Sequence, residues 1–302
     1  MKGGDEISSQ LPGHIDYSVP DAMMDFAKQH NIAVNVIWDN PRYQPGWINS
    51  LSPNDLRKAV EERVGSIVTR YKGRLIAWDV LGQNASAVIY NLAGKADGTT
   101  TLFLNEFYAI EKSEDVPASP AKYLQKLKEI QSFPGNGNLR MGIGLESHFT
   151  VPNLPYMRAS LDTLASANMP IWLTEVDVKG SPTIQAQYLQ QILREAHSYP
   201  KITGMVMRAA WRPQGCYRMC LTDNNLKNLA TGDVVDKLLH EWGGSVVGMT
   251  DAYGFFEASL AHGDYNVKIT RHGVTNISSS TSNLKVAPTD ARRTTLLHQV
   301  AA

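Results

Sequence analysis

Met169-Pro170-Ile171-Trp172-Leu173-Thr174-Glu175-Val176-Asp177-Val178 decides how this chain is read. A run of apolar, mostly bulky residues leads straight into Thr174 and Glu175, which is the pattern of a short strand buried along its body. The carboxylate arrives at the C-terminal end. In a barrel of alternating strands and helices that end carries the chemistry, and a Glu there serves as nucleophile, base or metal ligand. Taken alone, a strand-end Glu is equally an ordinary surface ion-pair partner. The meaning of Glu175 therefore rests on the sequence around it.

Working outward, short apolar runs begin near residues 32, 75, 101, 139, 170 and 204, and helical patterns separate them. Ser52-Pro53-Asn54-Asp55 opens a helix whose Leu56, Val60, Val64, Ile67, Val68 and Tyr71 fall on one stripe, and Gly73 stops it. Ser119-Pro120 and Ser181-Pro182 open two more in the same manner, and Ser18-Val19-Pro20-Asp21 an earlier one running to about Asn31. A helix from Pro155 to about Ala167 precedes the Glu175 strand, and one from Val234 to Trp242 closes the series. Only Leu81-Gly82-Gln83 separates the strand Leu75 to Val80 from a helical stretch that starts at Asn84. This alternation predicts a parallel sheet with helices outside it. The expected fold is α/β, a (β/α)8 TIM-barrel type left incomplete at about six barrel strands.

Three regions follow. Residues 1–13 are polar and Gly-rich and read as a disordered lead. Residues 14–243 form the barrel. Residues 244–302 change character: Tyr265, Val267 and Ile269, then Leu284 and Val286, alternate with polar residues around Ser278-Ser279-Ser280-Thr281-Ser282. That pattern predicts a small β extension with a loose tail.

The 302 residues carry 29 basic and 29 acidic side chains, so no bulk charge draws the chain to nucleic acid or to an anionic membrane. No apolar run is long enough to span a bilayer, and Met1-Lys2-Gly3-Gly4-Asp5-Glu6 contains no apolar core of a secretory signal. A neutral polymer fits better as a partner, and six Trp and twelve Tyr supply flat faces for stacking. Cys216 and Cys220 read either as a small disulfide loop or as two free thiols. Without a His or Cys partner pair they make a poor metal site.

Several strand-end segments together resemble a known family. Trp78-Asp79-Val80, Gly142-Ile143-Gly144-Leu145-Glu146-Ser147-His148 and Pro170 to Asp177 resemble three signature segments of the family 10 glycoside hydrolases, of the plant endo-1,4-β-xylanase type. Tyr71-Lys72-Gly73, the loop from Trp38 to Trp47 and the stretch from Trp211 to Asp223 extend the resemblance over residues 14 to 290. It implies a (β/α)8 barrel that cleaves β-1,4-xylan with retention, uses no metal or other cofactor, works as a monomer and is generally secreted. It assigns Glu175 as nucleophile and His148 as the residue that orients it. Glu146, Trp38, Trp47, Tyr43, Asn105 and Trp211 become substrate-binding positions for xylan or another β-1,4-linked plant polysaccharide.

The departures bear on function as much as the matches. The family segment W-D-V-x-N-E supplies the acid/base Glu and a sugar-binding Asn, where this chain reads Trp78-Asp79-Val80-Leu81-Gly82-Gln83. Without a gap, Gly82 and Gln83 stand in those places, and Gln83 has no proton to give. With a gap, the reading favoured by the short connection, the whole acid/base loop is absent. The family's R-G-H has no counterpart in Ala33-Val34-Asn35-Val36, and Arg208 stands where a Trp usually lies beneath the sugar. Glu106 reads as an ion-pair partner ahead of a substitute acid. Two functional readings follow: a retaining endo-xylanase that hydrolyses xylan poorly, or a non-catalytic homologue that at most binds xylan, including a truncated, non-functional product.

Overall fold

The computed structural model describes residues 15–38, 45–81, 87–209, 215–216, 218–243, 246–258, 260, 263–272 and 277–286. In chain order the elements are α1 (Ser18–Gln29), β1 (Asn35–Trp38), α2 (Pro53–Tyr71), β2 (Ala77–Leu81), α3 (Ala87–Ala96), β3 (Thr101–Glu106), α4 (Pro120–Ser132), β4 (Met141–Leu145) and β5 (His148–Phe149). They continue with α5 (Leu154–Ala165), β6 (Ile171–Val178), α6 (Pro182–His197), β7 (Ile202–Met207), α7 (Ala230–Trp242), β8 (Gly263–His272) and β9 (Ile277–Val286).

β1 to β7 form one parallel sheet. β4 and β5 lie successively along the same neighbour, β6, so they fill one position, and the sheet has six barrel positions among the described residues. The expected incomplete barrel is the observed one. Among the described residues β1 pairs only with β2, and β7 only with β6. β8 and β9 form an antiparallel hairpin in the expected C-terminal region.

The helix starts follow from proline. Pro53, Pro120 and Pro182 each sit in the first turn, where the missing N–H is no loss and the fixed φ is already helical. Of the preceding serines only Ser52 caps with its side chain, accepting from the Asp55 amide at 3.2 Å. β1 begins three residues later than the apolar run suggests. Asn31 adopts φ 54° and the Ile32 amide returns to the Ala27 carbonyl at 2.8 Å, which ends α1 and leaves Ile32 on the surface. α7 begins earlier than its apolar pattern, because the buried Thr231 hydroxyl donates to the Cys220 carbonyl at 2.5 Å and ties down the first turn.

Side chains alternate across the sheet. Trp78, Val80, Leu102, Leu104, Ile143, Leu145, Ile171 and Leu173 join the core packed beneath the helices. The opposite set fills the barrel interior, where the Phe103 and Trp172 rings lie 4.9 Å apart. Space for these rings comes from glycine. A Cβ on Gly142 would meet Phe103 at 2.5 Å, and one on Gly204 would meet Trp172 at 2.5 Å. Also in the interior, the Thr174 hydroxyl donates to Asn105 Oδ1 at 2.5 Å, and Asn35 Nδ2 donates to Asp79 Oδ2 at 2.7 Å.

Candidate active site

The site is built where β4, β5 and β6 end. In β6 the helix-facing residues are Ile171 and Leu173, then Val176 and Val178, so the alternation skips one residue. Pairing with β7 shows the same step: Leu173 faces Met205 but Val176 faces Met207. This bulge accommodates Thr174 and Glu175 together between helix-facing neighbours. Its neighbour strand is also interrupted. Ser147 takes φ 66° and its hydroxyl donates to the Leu145 carbonyl at 2.9 Å, separating β4 from β5. The Glu175 amide donates to the Glu146 carbonyl at 3.1 Å and the Asp177 amide to the Ser147 carbonyl at 3.3 Å, which locks the two irregularities together.

His148 is the hub. Its Nε2 lies 3.1 Å from Glu146 Oε2 and 3.8 Å from Glu175 Oε2, while Nδ1 lies 3.2 Å from Asp177 Oδ1. Glu175 is 7% exposed and Asp177 fully buried. Arg208 Nε approaches the same Glu175 oxygen at 3.2 Å, and Arg208 Nη1 lies 3.3 Å from His148 Nε2. Burial works against a charged imidazole, but the Asp177 and Glu146 carboxylates outweigh it and raise His148 from 6.5 to about 9. His148 is therefore an imidazolium at neutral pH, both ring nitrogens are donors, and its contact with Arg208 joins two cations held by the carboxylates between them.

Asp79, on β2, is 1% exposed. Burial pushes its carboxyl up to about 7 against the opposing hydrogen bond from Asn35, with the Glu175 and Glu146 charges adding to the rise. Glu111 supports the hub from below: buried, raised by that burial, it accepts the His148 amide on Oε1 at 2.9 Å and the Ile110 amide on Oε2 at 2.9 Å. On the far side of Asp177, Arg218 Nε donates to Oδ1 at 2.8 Å. Cys216 and Cys220, which bracket Arg218, are joined as a disulfide.

The structure thus brings Glu175, His148, Glu146 and Arg208 together. Asn105 lies buried in the interior layer with Thr174, and Glu106 is buried at the end of β3 with Oε1 accepting the Phe107 amide at 3.1 Å. Trp47 sits in a short 3-10 turn, Gly46–Ser50, ahead of α2. Trp38 ends β1. Tyr43, Gly82, Gln83 and Trp211 lie outside the described residues. Asp79, Asp177, Arg218 and Glu111 are members that the sequence reading gave no role. Asp79 and Asp177 stand inside quoted strand-end segments and Arg218 inside the quoted stretch from Trp211 to Asp223, between the two cysteines, which is a usable signal; Glu111 has none. Among the described residues no group of His, Cys, Asp and Glu is placed to hold a metal ion.

A parallel sheet covered by helices, with an oriented carboxylate among others at the strand C-termini, is the architecture of a (β/α)-barrel hydrolase. The chain matches the family model Glycosyl hydrolase family 10 over residues 5–87 and 81–228, and it belongs to that family. It is 43% identical over 294 residues to Endo-1,4-beta-xylanase 5 of Arabidopsis thaliana, covering 89% of this chain and 52% of that protein. Endo-1,4-beta-xylanase 4 of the same plant is 39% identical over 304 residues, 88% of this chain and 52% of that protein. The chain spans about half the length of these curated relatives. Its fold is similar to xylanase 10B from Thermotoga petrophila in complex with xylobiose, with TM-score 0.65 and 19% identity over 79% of this chain and 84% of that one. Native xylanase 10B from Thermotoga maritima gives 0.62 and 19% over 79% and 86%.

Proposed function

We propose that this chain carries an endo-1,4-β-xylanase-type site of a retaining glycosidase, with Glu175 as nucleophile and no residue in the place of the acid/base. The observation that carries the reading is the buried Glu175 carboxylate held between His148 at 3.8 Å and Arg208 at 3.2 Å. Retention needs a carboxylate that attacks the anomeric carbon and a second group, about 5 Å away, that protonates the departing oxygen and later deprotonates water. Glu175 fills the first role. His148, fixed through Asp177 and Glu146, directs that carboxylate.

Among the described residues none fills the second role. The family match divides at residues 81–87, where the acid/base segment would lie, and this supports the gapped reading. Glu146 is engaged with His148 Nε2 at 3.1 Å. Asp79 retains a proton up to about pH 7, yet it is 1% exposed and bonded to Asn35. Loss of acid/base help costs about 10²–10⁴ in rate. The expected activity on xylan is correspondingly slight.

Because the same missing group serves both steps, glycosylation by an activated leaving group should outrun hydrolysis of the intermediate. Incubation with 2,4-dinitrophenyl β-xylobioside, followed by mass spectrometry of the peptide containing Glu175, tests this. A xylobiosyl adduct on that peptide, lost in Glu175→Ala, is the expected result. Absence of the adduct overturns the catalytic reading and leaves the second one, a non-catalytic homologue that binds xylan, which the Arg208 contact on the nucleophile favours.

A further inference from the structure

Asp177 presents an electrostatic problem that the chemistry of Glu175 does not explain. It is fully buried, and its Oδ2 has no hydrogen-bond partner. A buried carboxylate of this kind persists only when cations hold it. Two do, and both use Oδ1: His148 Nδ1 at 3.2 Å and Arg218 Nε at 2.8 Å. The Arg218 bond is the shorter, and His148 Nδ1 makes no hydrogen bond of proper geometry to Asp177. Arg218 is also fixed from other directions. Its Nη2 donates to the Phe149 carbonyl at 3.2 Å, and its own carbonyl accepts Gln185 Nε2 at 2.7 Å. Gln185 Nε2 donates in addition to the Val178 carbonyl at 2.9 Å. The residue therefore joins β5, β6 and α6, and the disulfide between Cys216 and Cys220 closes the five-residue loop that presents it.

We propose that Arg218, presented by the Cys216–Cys220 loop, is a positioning residue that shares Asp177 with His148 and so sets how strongly His148 is drawn from Glu175 toward Asp177. The proposal rests on the reading of Glu175 as nucleophile for its catalytic meaning, while its physical content is the coupling between Arg218 and His148. The charged groups around the imidazole are Glu146, Glu175 and Arg208 on the Nε2 side and Asp177 with Arg218 behind it on the Nδ1 side; Glu111 holds the backbone amide. Removing Arg218 takes one cation from this set and frees Asp177 Oδ1 for Nδ1. Both changes favour the imidazolium.

The test is an NMR titration of the His148 ring in the full chain, assigned against His148→Asn. Arg218→Met should raise the His148 midpoint by about one pH unit. Arg218→Lys, which keeps the charge without the planar fork, should return it most of the way. Opening the loop with the double substitution Cys216→Ser and Cys220→Ser should move the midpoint in the same direction by less. An unchanged midpoint in a folded Arg218→Met overturns the proposal. If that variant does not fold, an unchanged midpoint in the folded double-serine variant does so. Adduct formation on Glu175 separates the two claims. A shifted midpoint with no adduct in the parent chain keeps the coupling and defeats the nucleophile assignment. An adduct in the parent chain with an unmoved midpoint does the reverse.

Discussion

Arg208 Nε lies 3.2 Å from Glu175 Oε2, the same oxygen that faces His148 at 3.8 Å. Two cations therefore attend one carboxylate oxygen. An extra positive charge there lowers the electron-donating power of the carboxylate and opposes the cationic sugar that develops during bond cleavage. Replacing Arg208 by Trp removes the charge and supplies a flat apolar face. We expect Arg208→Trp to raise the rate of dinitrophenol release from the activated xylobioside by about tenfold. A rate equal to that of the parent chain would show that the contact does not limit Glu175.

Gln83 distinguishes the two alignments of the acid/base segment. If it stood in the acid/base place, Gln83→Glu would restore a proton donor and raise hydrolysis of unactivated xylan by about 10²–10⁴. The gapped reading expects no gain, because the residue then belongs to a connection that lacks the site-forming loop. Reducing-sugar release from xylan by the purified variant decides between them.

Two of the buried titrating groups, Asp79 and His148, make stability fall as pH rises, in successive windows that meet near neutrality. Asp79 holds its proton up to about 7 when folded and only to 3.8 when unfolded, so folding is progressively disfavoured between those values. His148 runs the other way in charge but not in direction. Its folded value of about 9 exceeds 6.5, so its stabilisation is complete below 6.5 and disappears as pH passes 9. Thermal melting should drop in two stages from pH 4 to pH 10. Asp79→Asn should flatten the lower stage and His148→Gln the upper; a parent melting profile rising over this range would contradict both assignments.

Gly142 is required by the ring beside it. The nearest atom to an added Cβ is Phe103 Cε1 at 2.5 Å, and Phe103 is 2% exposed with no room to withdraw. Gly142→Ala should cost about 1–3 kcal/mol in urea denaturation. Combining it with Phe103→Leu should recover part of that cost, since residues in direct contact do not act additively. Full additivity would place the ring elsewhere.

The six barrel positions were legible because each is a buried parallel strand, and such strands announce themselves as apolar runs between helix starts. The hairpin was legible from the alternation at Tyr265, Val267 and Ile269. Glu175 and His148 came from their segments. The partners of these residues were harder to see. Asn35 and Asp79 meet across neighbouring strands, 44 residues apart, and Arg218 meets Asp177 across 41. Nothing local in either segment encodes such a meeting. The Arg208 position was identifiable as a departure, but its placement against Glu175 depends on how β7 lies along β6. Ser119-Pro120 and Ser181-Pro182 mark helix starts, and the prolines begin those helices without a side-chain cap from either serine.

The irregular step between Leu173 and Val176 also defines what kind of sequence change this strand tolerates. Swapping one side chain for another leaves the count intact and the carboxylate aimed as it is. Deleting Thr174 would restore plain two-residue periodicity and set Glu175 into the interior place that Thr174 fills beside Asn105. Length, more than chemical identity, guards the direction of this acid, and insertions or deletions here should be more damaging than most substitutions.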